Sequence, residues 1–114
     1  MLATLPYPEE SFDLIYAMSI FTHLNEETFV SCFHGINKML KRQGGFMLTI
    51  RPNTFWETLR PDLPDRVKLS NTGGFVFQHG SFDPCFGDTT VDFNWILKLA
   101  DSSGFNIEGV EWSP

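Results

Sequence analysis

The sequence predicts an α/β fold on a mostly parallel sheet, and three observations predict it. An apolar run of strand length spans Phe12 to Ser19, a helical period follows it, and a second apolar run, Phe46 to Ile50, comes after Gly44-Gly45. Strand, helix and strand in that order join two parallel neighbours through a crossover.

Glu9-Glu10-Ser11 forms a polar turn before the first run, whose aromatic and β-branched members favour a strand. Continuous apolarity predicts a parallel strand covered on both faces. Asn25 is placed to cap a helix, with Glu26 and Glu27 in the first turn, where carboxylates favour the helix dipole. Phe29, Phe33, Ile36 and Leu40 lie on one stripe of that helix. Lys38, Lys41 and Arg42 stand where cations suit its end, and Gly44-Gly45 is expected to stop it before the strand Phe46 to Ile50.

Residues 53–90 carry no sustained period and are broken by Pro61, Pro64, Pro84 and Gly73-Gly74. A hairpin around Gly74 to His79 is expected, with a long loop through Phe82 to Asp88. Thr90 is expected to cap a closing helix from Val91 to Ser102 with Phe93, Ile96, Leu97 and Ala100 on its apolar face. Ser103-Gly104 stops it, and Phe105 to Glu111 reads as a last strand. The chain is read as one domain over residues 1–114.

Twelve Phe and three Trp are many for 114 residues, which predicts large aromatic burial and some surface meant for a partner. A net charge of −6 and a pI near 4.8 exclude a phosphate-gripping nucleic-acid binder. The longest apolar run is too short to cross a membrane, and nothing reads as a signal peptide. Cys32 and Cys85 match no metal spacing or disulfide framework; they are read as buried thiols, consistent with a reducing cytosol.

Taken together, Leu5 to Pro8, Phe12 to Ile15, Ser19 to Leu24 and Leu40 to Gly45 resemble, in order and spacing, class I S-adenosylmethionine-dependent methyltransferases of the small-molecule, type 11-like kind. The last of these departs from that family's Leu-Lys-Pro-Gly-Gly by losing the proline and gaining a residue. The resemblance implies part of a Rossmann-like methyltransferase fold, a fragment of a three-layer sandwich corresponding to its C-terminal half. Residues 53–90 would then be the variable insert that shapes the acceptor pocket. It implies S-adenosyl-L-methionine as cofactor, methyl transfer to an O, N or C atom of a small molecule, and a cytoplasmic enzyme. The family's glycine-rich turn and ribose-binding acid have no counterpart here, so an incomplete cofactor site and an inactive isolated chain are expected.

By resemblance, Leu5 and Pro6 would flank adenine, and Ala17, Met18 and Ser19 would edge the cofactor cleft at the carboxyl end of the sheet. His23 is the candidate general base, an imidazole able to take a proton near neutral pH; the alternative is a structural bond to the turn's backbone. His34 falls on the helix surface. Phe21, Arg51 and His79 are candidate acceptor contacts, Arg51 through a bidentate grip on an acidic group. His79, Asp83 and Asp88 are spaced too irregularly to predict a metal site. Apart from a small-molecule acceptor, the expected partner is a second copy or another chain that completes the sheet; the competing reading is a non-catalytic binding or dimerisation module with an unpaired sheet edge.

Overall fold

A computed structural model describes residues 7–52, 54–59, 74–79 and 86–111. The first run forms strand β1 (Phe12–Ala17), followed by a 3-10 turn (Phe21–His23), helix α1 (Glu26–Met39) and strand β2 (Leu40–Leu48), parallel to β1. Helix α2 (Thr54–Leu59) comes next, then strands β3 (Phe75–His79) and β4 (Gly87–Val91), paired antiparallel, and helix α3 (Phe93–Ser102). Among the described residues the strands form two two-stranded sheets, one parallel as expected and one antiparallel. The architecture is mixed α/β.

Helix α1 starts as its sequence requires: the Asn25 side chain accepts from the Thr28 N–H at 2.9 Å, with Glu26 and Glu27 in the first turn. It stops earlier than the glycines suggest. The N–H groups of Glu10 and Ser11 donate to the carbonyls of Lys38 and Met39, which satisfies the helix end from the loop before β1. The chain therefore enters β2 at Leu40, and Gly44-Gly45 lies inside the strand.

The glycines serve a register step instead. Phe12 pairs with Leu40, yet Leu14 pairs with Gly45, so Lys41 to Gly44 bulge out of the ladder. A Cβ on Gly44 would sit 3.0 Å from the Asp13 carbonyl oxygen, which makes glycine the fitting residue at this close approach.

The second strand pair is anchored by its ends. Thr89 donates its hydroxyl hydrogen to the Leu24 carbonyl, Leu24 and Phe86 form an isolated bridge, and Val91 N–H donates to Arg51 O at 3.1 Å. Thr90 and Val91 are strand residues, not the start of the closing helix, whose N-cap is Asp92. The buried stripe of α3 is Ile96, Leu99 and Ala100, while Phe93 and Leu97 are exposed. Leu99 rather than Phe93 and Leu97 completes the inward stripe with Ile96 and Ala100, because the face that packs on the core sets the phase.

At its other end α3 closes as expected. Gly104 has φ +83, its N–H donates to Asp101 O, and Phe105 N–H donates to Ala100 O, the paired bonds of a Schellman cap. Phe105 to Glu111 forms no strand; Ile107 and Val110 lie exposed, with no neighbouring strand to pair with among the described residues.

Aromatic rings fill the core between α1, α3 and both sheets. Phe21 meets Phe29 edge-on at 4.7 Å, Phe29 meets Trp95 at 5.2 Å, and Phe33 meets Phe105 at 5.1 Å. Many of the aromatic residues thus pack against each other. The opposite face of β1 and β2 is not covered by the described residues, contrary to the two-sided burial read from the apolar run. Leu14, Tyr16 and Met47 on that face are 56%, 67% and 55% exposed.

Candidate functional site

The carboxyl end of β1 opens into the turn Met18-Ser19-Ile20, all three residues exposed. Ser19 adopts φ +56, left-handed backbone that a side chain tolerates only when its surroundings hold it there. The holding group is Thr49, whose Oγ1 accepts from the Ser19 N–H at 2.8 Å, while its own N–H donates to the Ala17 carbonyl at 3.2 Å. Thr49 thereby stitches the end of β2 to the turn after β1. Ala17 is buried and its carbonyl is engaged, so it supports the turn from behind rather than facing a ligand.

His23 closes the 3-10 turn and is half-buried. Its Nδ1 lies 2.8 Å from the Gly87 carbonyl oxygen. A carbonyl only accepts, so Nδ1 carries the hydrogen and a neutral ring keeps its lone pair on Nε2. The backbone bond of the alternative reading exists, to β4 rather than to the turn, and it places the hydrogen of a neutral ring on Nδ1.

Arg51 follows β2 at the same edge. Its Nη1 donates to Asp88 Oδ1 at 2.9 Å, and the guanidinium lies over the Phe55 ring, 4.4 Å from the centroid. Adjacent residues of β4, Gly87 and Asp88, are therefore held by His23 and Arg51. Behind them the fully buried Trp56 donates its indole N–H to the equally buried Thr90 Oγ1 at 2.7 Å, fastening α2 to β4.

Phe21 is a correction. It is buried at the centre of the ring cluster, in contact with Phe29, Phe33 and Phe46, and has no surface to offer an acceptor. His79 ends β3 opposite Gly87, and its side chain lies outside the described residues, as do Leu5, Pro6, Asp83 and Cys85. His34 is exposed, its Nδ1 3.3 Å from Ser103 Oγ. Cys32 is a free thiol, and burial pushes its pKa up. Sequence reasoning missed Thr49, Phe55 and the partnership of Asp88 with Arg51. Only the Arg51 and Asp88 charges hinted at it, and pairing across 37 positions has no local signal.

The described residues form a parallel strand pair joined by a crossover helix, with the loop after β1 at the carboxyl edge, the edge at which open α/β sheets hold ligands. A family model described as a methyltransferase domain matches residues 1–48, from the start of the chain to the last residue of β2. The match makes that segment similar to a methyltransferase domain over less than half of the chain; Arg51, the β3–β4 hairpin and α3 lie beyond it. No curated protein and no solved structure matches the chain. Among the described residues, no helix is long and apolar enough to cross a membrane.

Proposed function

We propose that this chain supplies one wall of a methyltransferase cleft, for transfer of a methyl group to an O, N or C atom of a small molecule. The observation that carries the reading is the edge itself: an exposed left-handed turn pinned by Thr49, with His23 held beside it in the tautomer that leaves Nε2 basic. S-adenosyl-L-methionine, when bound, supplies an activated methyl, so the protein's share is binding, orientation and proton handling. The described residues fit that cofactor along one side: Met18 and Ile20 offer exposed apolar surface, and Ser19 a fixed backbone between them. His23 Nε2 would take the proton that an O or N acceptor gives up. The β3–β4 hairpin, gripped through Gly87 and Asp88, would stand on the acceptor side.

Titration of the labelled chain with S-adenosylhomocysteine, read as amide shifts in the NMR spectrum, tests the reading. Saturable shifts at Met18, Ser19 and Ile20 are expected, and an unmoved turn at millimolar ligand would refute it.

A second reading, a dimerisation module without catalysis, is favoured by one specific observation. Leu14, Tyr16 and Met47 are exposed on a parallel sheet, an arrangement normally covered. Sedimentation equilibrium decides it, since a chain that stays monomeric at high concentration does not dimerise through this face.

A further inference from the structure

Arg51 is placed by two neighbours that leave much of its fork open. Phe55 lies under the guanidinium plane and Asp88 takes Nη1, a one-point pair rather than the two-point grip a carboxylate and arginine can form. Among the described residues, Nε and Nη2 have no partner. The Arg51 and Asp88 side chains remain 25% and 31% exposed, so solutes reach the pair. Phe86, two residues before Asp88, is an exposed ring at the same end of β4. His23 holds Gly87, the residue between them.

The geometry points to Arg51 as the anchor for a carboxylate on the methyl acceptor, with Asp88 as a competing carboxylate from the chain itself. The identification of the bound molecule as the acceptor rests on the proposed function; the binding of a carboxylate does not. A planar carboxylate suits a planar fork whose orientation Phe55 fixes, and an aromatic acid gains a second contact from Phe86. The pair has the opposite reading of a latch that merely ties the end of β2 to β4, and the two readings differ in what loss of the Asp88 charge does.

The test uses the full labelled chain and benzoate as probe, with benzamide and inorganic phosphate as controls, following the Arg51 Nε–Hε resonance and the Phe55 amide. Benzoate is expected to shift both saturably, and benzamide neither. Asp88→Asn replaces the competing carboxylate by a neutral amide oxygen, a weaker acceptor, and should lower the benzoate midpoint about 3–10-fold, as expected when a charge-assisted rival becomes a neutral one. Arg51→Gln should abolish the response. The proposal is overturned if benzamide or phosphate acts as strongly as benzoate, if Arg51→Gln responds like the unaltered chain, or if Asp88→Asn leaves the midpoint unchanged or weakens it. Should Arg51→Gln not fold, the Asp88→Asn arm decides alone. No cofactor is present, so failure here leaves the S-adenosylhomocysteine titration standing, and the reverse holds.

Discussion

Thr90→Val isolates the bond that fastens α2 to β4. The substitution keeps the side-chain shape and replaces Oγ1 by a methyl, leaving the Trp56 indole N–H without its 2.7 Å acceptor in a fully buried position. An unpaired buried donor costs about 1–3 kcal/mol. The new methyl recovers at most about 0.8 kcal/mol of apolar burial. With the full methyl gain the net loss spans roughly 0.2–2.2 kcal/mol, centred near 1 kcal/mol. In urea unfolding followed by tryptophan fluorescence, a slope of roughly 1–1.5 kcal/mol per molar converts that loss to a midpoint about 1 M lower. Trp56→Phe removes the donor, so the double variant should lose less than the sum of the two single changes. A Thr90→Val midpoint within about 0.2 M of the unaltered protein, at the same slope, would refute the reasoning. The loss should also reach the candidate site, because Arg51 precedes α2 and Asp88 lies on β4.

Two further outcomes follow from local geometry. At Ser19, with φ +56, glycine should be tolerated, whereas valine should cost about 1–2 kcal/mol; equal thermal midpoints for Ser19→Gly and Ser19→Val would contradict a held left-handed turn. Burial raises the Cys32 pKa above its ordinary value, so the fold favours the protonated thiol. Its contribution is present below the unfolded thiol's pKa and is lost as pH rises through the folded one. Stability should therefore fall with alkaline pH less steeply in Cys32→Ala than in the unaltered chain. In a Cys85→Ser background, the Cys32 thiol should react with a disulfide reagent more slowly folded than unfolded, and equal rates would sink the idea.

Features set by neighbours in sequence were legible. Asn25 caps α1 and Gly104 closes α3 because both roles need only a few adjacent residues. Features set by distant contacts were not. The end of α1 depends on Glu10 and Ser11 N–H groups from a loop far back in the chain, so Gly44-Gly45 looked like a helix stop when it serves a bulge. The exposed Leu14 and Tyr16 show the same limit: an apolar run records the environment a strand is suited to, not which covering elements are present. At the candidate site, His23 and Arg51 were recognisable by chemistry and position. Their partners Gly87 and Asp88 were visible only once β4 had been brought back across the edge.

The bulge between Phe12 and Leu14 bears on how this segment tolerates change over evolutionary time. In an uninterrupted ladder, one inserted residue turns every later side chain to the opposite face. Here Lys41 to Gly44 lie outside the ladder, so a residue gained among them alters the size of a surface bend while Phe46 and Leu48 keep facing the core. The extra residue before Gly44-Gly45 falls inside that stretch. It is a place where the chain's length can drift without rewriting the pattern of its second strand.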